Sequence, residues 1–226
     1  MDLSSLKSFA KKHSLVYRGG VIINKLRAIV WPVRGKDNKI SIKGNVIKLK
    51  KSIEGNDNVV EIKGSTLIEP VIQIRGNCNR LVIEEGCYLG KGCSFQLEGN
   101  NNSIVIGKKT TMTLRCHFNA QEHNTKILVG EDCMFSNTII VRTSDSHPIY
   151  NVQGERINPA KDVIIGKHVW IAPNSVIMKG AVIGDGCIVG SSSMVNKQIP
   201  ESSLAVGTPA KVVKENVSWT REDVLK

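Results

Sequence analysis

His147 is the residue whose type and setting most invite chemistry. It stands in the run Ser144-Asp145-Ser146-His147-Pro148. A neutral imidazole titrates near neutrality and is the ordinary side chain for taking a proton from an attacking hydroxyl. Pro148 narrows the backbone freedom of its neighbour, which helps to fix where the ring points. Asp145, two residues earlier, is a candidate to orient that ring, and a backbone carbonyl would serve equally well. Trp170 is one of only three tryptophans. It opens a repeat unit at a place where a bulky aromatic can wall a cleft or cover a bound arm. His117, beside Phe118 and Asn119, is a candidate for an acceptor pocket. His168 reads as a structural corner residue, and His13 and His123 carry no argument. The six cysteines, at 78, 87, 93, 116, 133 and 187, form no CxxC pair and have no histidine cluster at zinc-finger spacing. They read as reduced, buried fillers.

These residues must be positioned by a repeat. Aliphatic side chains stand at 165, 171, 177, 183, 189 and 195, a stride of six without a miss. The residue two before each is small or β-branched: Val163, Val169, Ser175, Ala181, Cys187, Ser193. Neither the helical period nor strand alternation sustains this, whereas a triangular solenoid does, with one short strand per face and three faces per coil. Upstream, Ile83 and Leu89 lead to Phe95, Ile106 and Met112 to Phe118, and Val129 and Phe135 to Val141. Corner signals G-x-x-N begin at Gly35, Gly55, Gly76 and Gly99, spaced by 20, 21 and 23 residues. Gly and Asn tolerate the left-handed backbone that a sharp corner demands. The expected architecture is all-β, a parallel β-helix of about seven coils between residues 36 and 198.

The stride fails between Val141 and Val163. A solenoid gains nothing structurally from such an excursion, so the loop 142–162 is a functional suspect. Residues 3–13 place Leu3, Leu6, Phe9 and Ala10 on one helical face and read as a cap helix, or alternatively as a membrane-surface anchor. The chain thus divides into an N-terminal cap segment (1–35), a β-helix domain (36–204) and a C-terminal tail (205–226), the last as a short helix or extended. With 226 residues, one domain buries a sizeable core unaided. The net charge of +11 asks for an acidic partner such as nucleic acid, an anionic membrane or glycan, or a phosphate-bearing cofactor. Basic residues without aromatic interleaving argue against nucleic acid. The N-terminus shows no signal-peptide pattern and no apolar stretch long enough to span a bilayer, so the expected compartment is the cytoplasm, with membrane association at most peripheral.

The hexapeptide run resembles that of the hexapeptide-repeat acyltransferases. H-P-I-Y (147–150), G-E-R-I-N (154–158), K-D-V-I-I-G-K-H-V-W (161–170) and P-A-K-V-V-K-E-N (209–216) are similar to segments of bacterial capsule O-acetyltransferases acting on polysialic or sialic-acid-containing polysaccharide. The resemblance implies a left-handed winding and a homotrimer with sites between neighbouring prisms. It also implies acetyl transfer from acetyl-CoA to a saccharide hydroxyl, without metal, and with His147 as the base. Trp170 then falls beside the thioester. Pro173, Ser191, Asn196 and Lys197 fall along the CoA arm, and Lys211 and Lys214 fall against the nucleotide phosphates. Asn196 and Ser191 stand where many members carry threonine and alanine, so the resemblance implies backbone contacts there and not side-chain ones. Tyr150, His117 and Asn119 are the acceptor-side candidates. N-acetylation of an amino sugar is the near alternative. A metal-dependent β-helix hydratase would need three converging histidines, a pattern that His117, His147 and His168 do not form. A non-enzymatic binding solenoid would leave the excursion and the basic C-terminal turn unexplained.

Overall fold

The computed structural model describes residues 33–222, so the expected cap helix and its alternative as a membrane anchor lie outside the described residues. Among these residues every regular element is a strand. One face of the prism is an eight-stranded sheet that includes Val71–Arg75, Ser94–Glu98, His117–Gln121, Ile140–Arg142 and Val176–Ile177. The second and third faces form one fifteen-stranded sheet, joined through the long strand Val59–Ile68. The first half of that strand pairs with Arg80–Ile83 on the second face, and its second half pairs with Tyr88–Leu89 on the third. All these pairings are parallel. The exception is the terminal pair, where Ala210–Lys214 turns back antiparallel on Leu204–Gly207. Eight strands on the first face mean eight turns, counting the short ones at each end.

The stride is what fills the prism. Ile165, Ile171, Ile177, Ile183, Val189 and Val195 are all buried, as are the six smaller residues two positions before them. Phe95 stacks on Phe118 at 5.5 Å between ring centroids, and Phe118 meets Phe135 edge-on at 5.6 Å, so aromatic rings thicken the middle of the core. Five of the six cysteines occupy this same small-residue slot and are buried, and Cys78 is exposed. The slot has a job beyond filling. A narrow coil turns its corner carbonyls inward, where each needs a donor. Cys87 Sγ meets Gly107 O at 3.2 Å, Cys133 Sγ meets Gly166 O at 3.1 Å, and Ser175 Oγ meets Gly190 O at 3.0 Å. Burial pushes the thiols of Cys87 and Cys187 up, and that of Cys133 to about 12.

The corner between the first and second faces uses asparagine instead. Asn58, Asn79 and Asn102 are buried. Their Nδ2 groups donate to Gly76 O, Gly99 O and Glu122 O at 2.8–2.9 Å. Each Oδ1 accepts the backbone N–H of the equivalent residue one coil on: Asn79, Asn102 and Thr125, at 2.9–3.0 Å. Glycine is required beside them. At Gly76, with φ +121°, a Cβ would lie 1.9 Å from Gly99 O.

The three outer surfaces differ. Outward positions of the second face form an aliphatic row in successive register: Val82, which is buried, then Val105, Leu128, Ile164 and Val182, which are partly or well exposed. Part of the third face is covered by the C-terminal segment, where Trp219 is buried. The first face carries an outward row of polar residues, Ser52, Gln73, Gln96, Asn119 and Arg142, beside a second outward row in which Val71, Ile140, Val176 and Met194 are partly exposed.

Candidate active site

The repeat breaks after Ile140–Arg142, and residues 143–162 leave the prism at the first-to-second-face corner before the chain re-enters at Val163–Ile165. The excursion is a pinned hairpin. Tyr150 bridges Arg156 antiparallel, and Ile157 N–H donates to Ile149 O at 2.9 Å. Asn151 closes the tip by accepting from Gln153 and Glu155 N–H.

Asn158, only 8% exposed, is the hub of the loop. Its Nδ2 donates to His147 O and to Asp145 Oδ2, both at 2.9 Å, and its Oδ1 accepts Ile149 N–H at 2.6 Å. Lys179, from the following coil, donates to the same Asp145 oxygen and to Asn158 O. The Lys179 hydrogen bond holds the Asp145 carboxyl below its usual range, against the opposing effect of burial. Asp145 therefore fixes the backbone that carries His147, with its Oδ2 committed to Lys179 and Asn158. The His147 ring itself is exposed to solvent. A second clamp comes from Glu122, which accepts both guanidinium nitrogens of Arg156 at 2.7–2.8 Å and the Ser144 hydroxyl at 2.7 Å. Arg156 accordingly draws the Glu122 carboxyl down, again against burial. Glu122 stands where the preceding coils carry the corner glycine, and it keeps the positive φ, +75°.

His117 and Asn119 lie on the coil immediately before this loop. His117 pairs with Ile140 and Asn119 with Arg142. His117 Nδ1 faces Ser94 Oγ at 2.6 Å. Arg142 reaches forward to Ser144 O at 2.6 Å and to Ser146 Oγ at 2.8 Å, next to His147. Tyr150 is 58% exposed on the hairpin. Arg142 and Tyr150 thus lie at the loop and Asn119 on the strand that leads to its corner, while His117 begins that strand, at the opposite edge of the first face.

Trp170 does not join them. It lies on the third face, between Met134 and Ile188, whereas the loop leaves the opposite corner. Its Nε1–H is buried without a partner among the described residues. Trp219 packs against it at 6.1 Å and stacks on His168 at 4.1 Å, nearly parallel. His168 is indeed a corner residue, with φ +51°. Its Nδ1 faces Asp132 Oδ2 at 2.7 Å and its Nε2 faces Trp219 O at 3.0 Å. Arg221 completes the strap with 2.9 Å bonds to Asp132 Oδ1 and Thr111 Oγ1. Burial acts to raise Asp132, but its bonds from His168 and Arg221 outweigh that and leave it lowered. As far as residue 222 the C-terminal tail is thus an extended strap.

Of the CoA-side candidates, Pro173 and Ser191 share the third-to-first-face corner, where Ser192 N–H donates to Pro173 O at 2.8 Å. Asn196 and Lys197 turn the first-to-second-face corner of the last coil, and Lys211 and Lys214 lie exposed on Ala210–Lys214. The three lysines share one end of the prism and not one face of it. A charged cleft lined by Glu85, Lys108, Glu131, Lys167 and His168 runs along the remaining corner, away from the loop. Its Lys108–Glu85 and Lys167–Glu131 pairs, at 2.7 and 3.0 Å, account for most of its charge. Among the described residues no group of three His, Cys, Asp or Glu side chains is set to hold a metal ion.

Residues 162–197 match the family model described as bacterial transferase hexapeptide (six repeats). A polysialic acid O-acetyltransferase of Escherichia coli O1:K1 is 41% identical over 93 residues, 41% of this chain and 30% of that protein. One from Neisseria meningitidis is 38% identical over 94 residues, 41% of this chain and 44% of that protein. The matched segments thus span less than half the length of these curated relatives. The crystal structure of the polysialic acid O-acetyltransferase OatWY superposes with a TM-score of 0.75 at 34% identity, over 85% of this chain and 93% of that one. A likeness of that extent carries the family with it: the chain belongs to the hexapeptide-repeat acyltransferases.

Proposed function

We propose that this protein transfers an acetyl group from acetyl-CoA to a hydroxyl of a surface polysaccharide, polysialic acid being the acceptor suggested by its relatives' names. The observation that carries the reading is the break in the repeat. The chain departs from its stride over residues 143–162, and there Asn158, Lys179 and Arg156 lock the segment around His147. In this reading His147 takes the proton of the acceptor hydroxyl as its oxygen attacks the thioester carbonyl. The tetrahedral intermediate collapses, the acetyl ester forms, and the CoA sulfur leaves with the proton returned by the imidazolium. A backbone N–H of the coil is the candidate oxyanion donor. Pro173, Ser191, Asn196 and Lys197 line the arm, while Lys211 and Lys214 meet the phosphates.

The same reading calls for a second copy of the chain. His147 and Trp170 occupy a corner and the opposite face of one prism, so a neighbour is needed to unite them. The outward aliphatic row with Ile164 at 40% and Val182 at 37% exposure suits packing of copies into the family's homotrimer. Incubation of the purified protein with acetyl-CoA and a panel of capsular polysaccharides tests the function. CoA release with an alkali-labile acetyl ester on one of them is the expected result. An alkali-stable amide would favour amino-sugar N-acetylation, and no transfer to any acceptor would sink the reading. Mixing inactive His147→Ala and Trp170→Ala chains is expected to restore transfer if copies share a site.

A further inference from the structure

We propose that the outward row Ser52, Gln73, Gln96, Asn119 and Arg142 is a rail. It binds an extended polysaccharide laid along the stacking axis, several sugar residues at once, and leads it to His147. The proposal rests on the transferase reading and adds where on the prism the polymer lies and which side chains hold it.

The five residues are partners in register on the first face, one per coil. Neighbouring parallel strands lie roughly 4.8 Å apart, so the rungs from Gln73 to Arg142 extend about 14 Å. A monosaccharide would meet one or two of them. Their chemistry suits a polyhydroxylated chain, since hydroxyl, amide and guanidinium groups offer donors and acceptors in alternation. The second face presents aliphatic side chains in the equivalent positions, and Trp219 covers part of the third.

Two arginines that flank the row are paired with carboxylates one coil on. Arg34 pairs with Glu54 at 3.7 Å and Arg75 with Glu98 at 3.5 Å, and Glu98 also accepts from Gln96 and Gln121. Among the described residues the side-chain amides of Gln73 and Asn119 have no protein partner; Gln73 is exposed and Asn119 half-buried. The rail is also continuous with the loop. Arg142, its last rung and its cation, donates to Ser146 Oγ, which donates in turn to Gln121 Oε1 at 3.0 Å. A chain resting on the rail therefore arrives next to His147.

Transfer kinetics with size-fractionated polysialic acid and with free sialic acid test the rail. The expected kcat/KM per sugar residue rises about tenfold from monomer to roughly four residues and then levels off, as added rungs engage. Gln73→Ala, three coils from the loop and outside the transfer machinery, is expected to remove several-fold of that gain for long chains. It leaves the monomer rate and the KM for acetyl-CoA unchanged. Transfer that is independent of chain length would overturn the rail and leave the transferase reading intact, as would a Gln73→Ala loss equal for monomer and polymer. No transfer to any length, in the panel or here, would remove the transferase reading and the rail with it.

Discussion

The corner between the first and second faces exists in two forms within this molecule. In the early coils it is a closed ladder, in which a glycine lets the backbones of adjacent coils approach and a buried asparagine satisfies the groups that approach exposes. At Glu122 the glycine is gone and the ladder passes to Thr125 and Thr143. One coil later the corner opens, and the chain leaves the prism for some twenty residues. The comparison teaches that the regular corner stores stability, while the open one, on the proposed reading, positions chemistry. The open corner trades a self-satisfying ladder for side-chain clamps, Glu122–Arg156 and Asp145–Lys179, that hold one histidine.

If that division is right, the two forms fail differently when broken. Gly76→Ala puts a Cβ 1.9 Å from Gly99 O at a φ of +121°, so the coils must separate. A loss of about 3 kcal/mol or more is expected, and a thermal melt within a degree or two of wild type would contradict the ladder's role. Asn158→Ala acts on the open corner. We expect kcat to fall about 10- to 100-fold through misplacement of His147, with the KM for acetyl-CoA and the melting temperature nearly unchanged. A large loss of stability instead would make Asn158 a ladder residue.

Acidification sharpens the contrast further. Glu122 and Asp145 are depressed in the folded protein. Their clamps therefore contribute fully above the unfolded carboxyl range of roughly 4 and are lost as pH falls through the lower folded values. The asparagine ladder does not titrate. Hydrogen exchange is expected to show residues 145–158 losing protection below about pH 4 while residues 58–106 keep theirs. The smallest effect is expected from thiol labelling. Cys78, at the tip of a regular corner, should react within minutes, and the five buried cysteines only on unfolding. A second fast thiol would mean that an inner slot is open.

Much of the prism is legible in the sequence because the repeat is local. The inward aliphatic residues, the small slot two positions earlier and the Gly-x-x-Asn corners all recur within one coil, and the buried cysteines fall into that slot. The departure at residue 143 is legible for the same reason, as a stride that stops. The clamps are not, because they join residues far apart with no period between them. Arg156 reaches Glu122 across 34 positions, Lys179 reaches Asp145 across 34, and Trp219 reaches His168 across 51. The one signal available for Glu122 was the replacement of a corner glycine in G-N-x-N by E-H-N-T. The three basic residues read together at the C-terminal end divide between a corner and the antiparallel strand, since a shared end of a prism is not a shared face. The role of Trp219 follows only from seeing the tail return along the corner.

The central claim is that the open corner exists to hold His147 as a base. Its most direct measurement is the single-turnover rate of acetyl transfer by His147→Ala, with acetyl-CoA binding followed in the same samples. The account predicts a rate at least about 10²-fold lower with binding retained. A variant that binds acetyl-CoA and transfers it at the wild-type rate would contradict it.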